Sequence, residues 1–239
     1  MVCAVIPTYN NQDTILSVVQ GVKAQLRDVI VVNDGSTDRT TELLSSIPDI
    51  HIVAYSRNRG KGYALKQGFS EACRLGFTHV VTLDADGQHR AEDIPLLLAA
   101  HEGTPSAFII GSRNLNAENM PRGNTFANRF SNFWFSVQTL QRLPDTQTGF
   151  RLYPLACFPS LWWMTDKYEA ELELLVVAAW KGVELCPVPV RVYYPSANER
   201  VSHFRPVMDF GRISLLNTIL CFLAVVYGYP RMLLNKLCR

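Results

Sequence analysis

THVVTLDADGQH, residues 78–89, sets an unbroken apolar run against acids at its carboxyl end. Short apolar runs without alternation mark strands buried on both faces. Outward from this stretch, similar runs recur at 2–6 (VCAVI), 28–33 (DVIVVN), 50–55 (IHIVAY) and 107–112 (AFIIGS). Helical patterns fill the intervals near 13–26, 37–47, 61–75 and 92–101. This alternation predicts an α/β fold, a mainly parallel sheet with helices on both faces. Ligands of such sheets sit beyond the carboxyl ends of the strands, so the chemistry is expected in the loops there.

The 239 residues are enough for one large α/β domain or two small ones. Charged residues make up 18%, below the usual share of about 25%. That shortage argues against disorder and points to a surface that meets something apolar. A net charge of +2 gives no reason to expect nucleic acid as a partner. The six cysteines (Cys3, Cys73, Cys157, Cys186, Cys221, Cys238) have no CxxC pair and no metal spacing, and read as mostly buried thiols of a reducing compartment. The chain opens on a strand-like run with no secretory pattern, so the catalytic domain is expected on the cytoplasmic side.

From 113 to 203 a long helix is expected near 124–141, then an extended GFRLYP, a helical YEAELELLVVAAW (168–180) and an extended ELCPVPVRVYYP (184–195). The expected division is a domain over 1–203 and an apolar helical appendage over 204–239. Between Arg212 and Arg231 the appendage carries eighteen residues without a charge. As a helix they would span roughly 27 Å, just short of a bilayer core. Tyr227, Tyr229 and the basic residues beyond them resemble an interfacial anchor. Membrane association is therefore expected, with spanning and lying flat both open.

The loops supply candidate chemistry. In NDGSTD (33–38), Asp34 and Gly35 form a turn and Ser36 or Thr37 can cap the next helix. Asp34 is a candidate acceptor for a nucleobase or ribose. In DADGQH, extended geometry would turn Asp84 and Asp86 to one face, with Ala85 between them, where they can share a hard cation such as Mg²⁺ or Mn²⁺. Gln88 offers a third oxygen. A cation there would neutralise a diphosphate leaving group. RNRGKGYALKQG (57–68) matches neither the P-loop nor the dinucleotide fingerprint, yet Lys61 at a helix start can approach a phosphate.

In their order, VIPTYN, VVNDGSTD, RNRGKGYAL, VVTLDADGQH, GSRN (111–114), DTQTGFRLYP (145–154) and YEAELELL resemble glycosyltransferase family 2, nearest its dolichyl- or polyprenyl-phosphate sugar synthase branch. The resemblance covers roughly residues 2–203 and implies a GT-A fold that uses a UDP- or GDP-linked sugar. It assigns nucleotide-sugar binding to Pro7, Tyr9, Asp34, Lys61, Asp84, Ala85, Asp86 and Arg113, and the metal to Asp84, Asp86 and Gln88. Acceptor or phosphate contacts fall to Arg113, Arg151, Arg200, Ser202 and His203, with Arg122 or Arg129 as additions. Asp145 and Glu171 are the catalytic carboxylates it implies. The family's PxYNE acid is Asn11 here and the first acid of its DDGS is Asn33, which weakens two base or ribose contacts. His203 stands in place of a lysine.

The resemblance implies inverting transfer of a hexose, and the apolar tail makes a lipid acceptor at the cytoplasmic face of the cell membrane, polyprenyl phosphate first, the expected one. A phosphate is already an anionic nucleophile. A hydroxyl acceptor, on a glycolipid or pigment precursor, would instead need Asp145 or Glu171 to take its proton. Residue by residue, structural roles compete: Arg151 as a partner for a helix carboxylate, and some of Glu169, Glu171 and Glu173 as a solvated face. A non-catalytic nucleotide-sugar-binding scaffold would predict a damaged acidic loop, but Asp84, Asp86 and Gln88 are all present. Nucleotidyltransfer usually needs a Gly-rich loop after the first strand, and PTYNN is not one. Nicotinamide chemistry lacks its glycine fingerprint.

Overall fold

The computed structural model describes residues 1–114, 122–158, 165–193 and 206–237, without the side chains of 122–126 and 206–210. Among the described residues seven strands form one sheet: β1 (Val2–Thr8), β2 (Val29–Asp34), β3 (His51–Tyr55), β4 (His79–Thr82), β5 (Phe108–Arg113), β6 (Arg151–Pro154) and β7 (Leu185–Val190). Their order is β3-β2-β1-β4-β6-β5-β7. All neighbours are parallel except at β6, which runs antiparallel to both β4 and β5. The five amino-terminal strands fall where the apolar runs predict them. The reversal at β6 sends the DTQTGF loop back to the carboxyl end of β4.

Side chains alternate across each strand, and each face builds its own core. Val5, Ile30, Val32 and Val80 meet α3 (Lys61–Arg74), α5 (Arg122–Thr139) and α6 (Ala170–Trp180). Ala4, Ile6, Val29, Val31 and Val81 face the opposite core, with α1 (Ile15–Lys23), α2 (Thr40–Ser45) and α4 (Ile94–Gly103). α2 starts later than the Ser36/Thr37 cap implies. Asp38 accepts the Thr40 N–H at 2.9 Å, while Ser36 Oγ accepts the Asn10 N–H at 3.0 Å and ties the first two loops together. Of the described cysteines only Cys3 is buried and Cys73 is exposed, fewer buried thiols than expected.

The carboxyl-terminal helix packs along one side against the domain. α7 (Pro206–Leu223) passes through a π-helical turn, Ala224–Gly228, into α8 (Tyr229–Leu237). Leu216, Leu220 and Ala224 join the core shared with α5 and α6. A four-residue spacing drifts by about 40° per step around an ideal helix. The wider π turn works against that drift, so the docked side still faces the domain at Asn235, whose Nδ2 donates to Trp180 O at 3.2 Å. Gln138 Nε2 donates to Asn217 Oδ1 at 2.9 Å, and the Tyr229 hydroxyl donates to Val137 O. The opposite side leaves Leu215, Phe222, Val225, Val226, Leu233 and Leu234 exposed.

Candidate active site

Lys61, the first residue of α3, reaches the end of β4 because Gly60 turns the chain at φ +106°, a conformation that favours glycine. Asp34 seats this turn. Its two oxygens accept the Arg59 N–H at 2.7 Å and the Gly60 N–H at 2.8 Å. Asp34 is 3% exposed, and what it holds in this structure is the loop that presents Lys61.

The Lys61 ammonium lies 2.6 Å from Asp84 Oδ1 and 2.8 Å from Glu171 Oε2. Burial alone would lower the lysine's pKa, but Asp84 and then Glu171 outweigh it and raise it. Burial likewise opposes ionisation of Asp84, and Lys61 holds its carboxyl below the usual range. The lysine is therefore committed to two carboxylates. Gly149 closes this pair from the β6 side: a Cβ there would lie 2.5 Å from Asp84 Oδ2 and 2.7 Å from Lys61 Nζ. Gly149→Ala is expected to lower turnover at least about tenfold while costing only about 1–3 kcal/mol of stability. Parallel kinetics and thermal melts would show the split.

β4 ends at Thr82, and residues 85 and 86 form a turn, so Asp84 and Asp86 do not share the extended geometry expected of them. They are close nonetheless. Burial and then the Asp84 charge push Asp86 up to about 6. Asp86 Oδ1 accepts the Gln88 N–H at 2.9 Å, and Thr14 Oγ1 donates to Ala85 O at 2.6 Å. Gln88 also pairs through its carbonyl, which accepts the Tyr193 N–H at 2.8 Å. His89, which sequence reasoning gave no role, is buried against Phe150, and burial pushes it down to about 4, which keeps the ring neutral.

The described residues contain no group of three or more His, Cys, Asp or Glu side chains placed to hold a metal. Two adjacent carboxylates still fit Mg²⁺ or Mn²⁺ bound with substrate phosphates, since such ions often take only one or two protein carboxylates. Burial first, and then the neighbouring Asp84 charge, disfavour the Asp86 carboxylate in the unloaded protein, and a bound cation would relieve both.

Arg113, at the end of β5, is gripped by Asp145. Its Nε and Nη2 donate to Oδ2 and Oδ1 at 2.6 and 2.9 Å, and its backbone N–H to Oδ2 at 3.2 Å. Asn128 on α5 and the Gln147 N–H add bonds at 2.6 and 3.0 Å. Burial opposes ionisation of Asp145, but the Arg113 hydrogen bonds hold its carboxyl low. A carboxylate accepting five bonds is a poor proton acceptor, and what Asp145 does here is fix Arg113.

Arg151 corrects a phosphate-binding expectation. It is 0% exposed, and its guanidinium donates to the carbonyls of Thr148, Glu171 and Thr146 at 2.7, 2.7 and 2.9 Å and to the Tyr153 hydroxyl at 3.4 Å. It staples the 145–149 loop to α6 and has no free edge for a phosphate.

Glu169, Glu171 and Glu173 are 7%, 6% and 2% exposed, so none of them forms the solvated face expected of some. Pro7 is buried in β1, and Tyr9 sits in the loop after it, where Asn11 Oδ1 accepts its N–H at 3.2 Å. Asn33 Oδ1 accepts the Ser36 N–H at 3.0 Å, so both asparagines that depart from the family pattern knit loops. Arg129 is exposed on α5. Arg200, Ser202 and His203 lie outside the described residues, as does the Arg122 side chain.

A mainly parallel sheet with one reversed strand, its loops gathering acids around a buried lysine, defines a GT-A glycosyltransferase. The chain belongs to glycosyl transferase family 2, whose model matches residues 3–158. It is 30% identical over 218 residues to the glycosyltransferase AglJ of Haloferax volcanii, covering 90% of this chain and 70% of that protein. It is 26% identical to a UDP-N-acetylglucosamine–dolichyl-phosphate N-acetylglucosaminyltransferase of Methanococcus voltae, covering 81% and 86%. Among solved structures, mannosyl-3-phosphoglycerate synthase from Rubrobacter xylanophilus shares the fold, with TM-score 0.64, 19% identity and coverage of 99% and 74%. So does S. aureus TarS in complex with UDP-GlcNAc, with TM-score 0.61, 16% identity and coverage of 92% and 66%.

Proposed function

We propose that this glycosyltransferase moves a hexosyl group, with inversion, from a UDP- or GDP-sugar to a polyprenyl phosphate at the cytoplasmic face of the membrane. One observation carries the acceptor class. The two helices that hold the site also hold the exposed apolar helix. On α5, Asn128 bonds Asp145 and Gln138 bonds Asn217; on α6, Glu171 bonds Lys61 and Trp180 bonds Asn235. At 1.5 Å per residue the apolar helix stands about 15 Å from the site along each. A phosphate at a membrane surface is within reach of such a site. The relatives acting on dolichyl and undecaprenyl phosphates agree with this reading.

In the proposed reaction an acceptor phosphate oxygen attacks the anomeric carbon. The carbon–oxygen bond to the diphosphate breaks, and the nucleoside diphosphate leaves with that electron pair. An ionised phosphate has no proton to lose, which suits a site whose Asp145 is already saturated. Arg113 is the candidate to orient it, since a guanidinium matches phosphate geometry. Asp84 and Asp86 would hold the divalent cation, which when bound neutralises diphosphate charge.

The test incubates purified protein with labelled UDP- and GDP-hexoses, Mn²⁺ or Mg²⁺, and polyprenyl phosphate in detergent. Label should enter the organic phase, in a product of inverted anomeric configuration. Label confined to water-soluble products would overturn the lipid acceptor. The cation also has a pH signature. Asp86 must lose its proton to ligate, and its pKa is raised to about 6. Mn²⁺ affinity should be level above that pH and fall up to about tenfold per unit below it. Titration calorimetry between pH 5 and 8 would show the break.

A further inference from the structure

Glu171 is 6% exposed, and only one of its oxygens is accounted for. Oε2 accepts from Lys61, while Oε1 is buried with no hydrogen-bond partner among the described residues. A carboxylate oxygen only accepts, and leaving one buried and unmet costs more than an ordinary hydrogen bond returns. The ligand should therefore bring a donor. Diphosphate oxygens bring none at neutral pH. A second cation would sit against the Lys61 ammonium that already serves Glu171. A hydroxyl of the transferred sugar is what remains.

Topology puts the sugar at this end. Asp34 ends β2, Asp84 follows β4, and β1 lies between them, so the two positions are about 10 Å apart at the usual strand spacing. A nucleoside near the β1–β2 loops and a diphosphate crossing β1 would bring the sugar to Asp84, Lys61 and the first turn of α6.

Resting on the function proposed above, we infer that Glu171 is a specificity-determining residue: its Oε1 accepts a hydrogen bond from one hydroxyl of the donor sugar, while Lys61 holds Oε2 and fixes the carboxylate's orientation. This differs from taking a proton from the acceptor, because the bond is to the donor and forms before any transfer.

Calorimetry with Mn²⁺ tests it without turnover. Wild-type protein is titrated with the nucleoside diphosphate, with the hexose donor that the panel above selects, and with that donor's monodeoxy series. One deoxy donor should bind about 10- to 100-fold more weakly than the parent. In Glu171→Gln, Lys61 captures the amide oxygen and an NH₂ replaces the acceptor. That variant should bind the nucleoside diphosphate like wild type, lose about tenfold for the parent donor, and no longer penalise the same deoxy analogue. The deoxy series on the wild-type protein keeps the test valid if the variant fails to fold. The inference is overturned if every deoxy donor binds wild type within about threefold of the parent. It is also overturned if Glu171→Gln weakens nucleotide and nucleotide sugar alike, or if it weakens Mn²⁺ alone. If no nucleotide sugar binds the wild-type protein, the proposed function fails first and takes this inference with it.

Discussion

Asp86→Ala is expected to cut metal-dependent turnover by about 10²–10³-fold while leaving the melting temperature unchanged or slightly higher. The two halves of that expectation have separate causes. The Asp86 carboxylate accepts the Gln88 N–H of its own turn, and burial first and then Asp84 beside it make its charge costly. Removing it relieves like-charge repulsion in the unloaded protein and deletes half of the proposed cation site. Asp84→Ala is the contrast. It strands Lys61 with Glu171 alone and removes one of the two carboxylates that hold it, so turnover and stability should fall together. Melting curves and Mn²⁺-dependent rates on both variants separate the roles. An Asp86→Ala enzyme that keeps full metal-dependent turnover would remove the cation from this loop.

The strands were legible because their signal is local. VCAVI is apolar without interruption and THVVTL centres on Val80 and Val81, and their short length between turn residues marks strands covered on both faces. The reversal of β6 had no local signal. RLYP sits between β4 and β5 through registers such as Val81 with Leu152 and Ile110 with Arg151, and those partners are far apart in the chain. Arg151 misled for a related reason. An arginine after GF looks ready for a phosphate, yet its partners are carbonyls of its own loop and of α6, and main-chain acceptors leave no mark on composition. The glutamates of YEAELELL were obscured by their number. Alternating acids suggest a wet helix face, whereas α6 is buried around its first turns, with Glu171 on Lys61 and Glu173 accepting from Thr165. Asp84 and Asp86 drew attention as paired acids directly beyond a buried strand, but the turn over residues 85 and 86 that replaces the expected extended geometry had no signal in that pattern.

The apolar helix should lie flat in the membrane surface and not cross it. Gly211–Leu237 is long and apolar enough to span, with mean hydropathy 1.7 over its most apolar window, yet only 28% of that window is buried in the protein. What forbids spanning is where that burial falls. Leu216, Asn217, Leu220, Ala224 and Gly228 run along one side, and bonds to α5 and α6 are made at Asn217, Tyr229 and Asn235. To cross the bilayer the helix would have to drag charged parts of the catalytic domain into hydrocarbon or peel away and expose Gln138 and Asn217. Lying flat, it inserts Phe222, Val225 and Leu233 and keeps every contact. Cysteines placed at Ser214 and Asn235 should therefore label from the same side of sealed vesicles with an impermeant maleimide; opposite-side labelling would establish a span. Deleting the helix would uncover the core around Trp180 and confuse membrane release with misfolding. Charges on the outer side avoid this. Phe222 and Val225 are 68% and 64% exposed, so Phe222→Asp with Val225→Asp should leave the fold intact. Burying those two side chains in lipid is worth about 3 kcal/mol or more, so vesicle binding should drop at least about 100-fold. Turnover on polyprenyl phosphate in vesicles should drop with it, while turnover in detergent micelles should hold, because the site about 15 Å away is untouched.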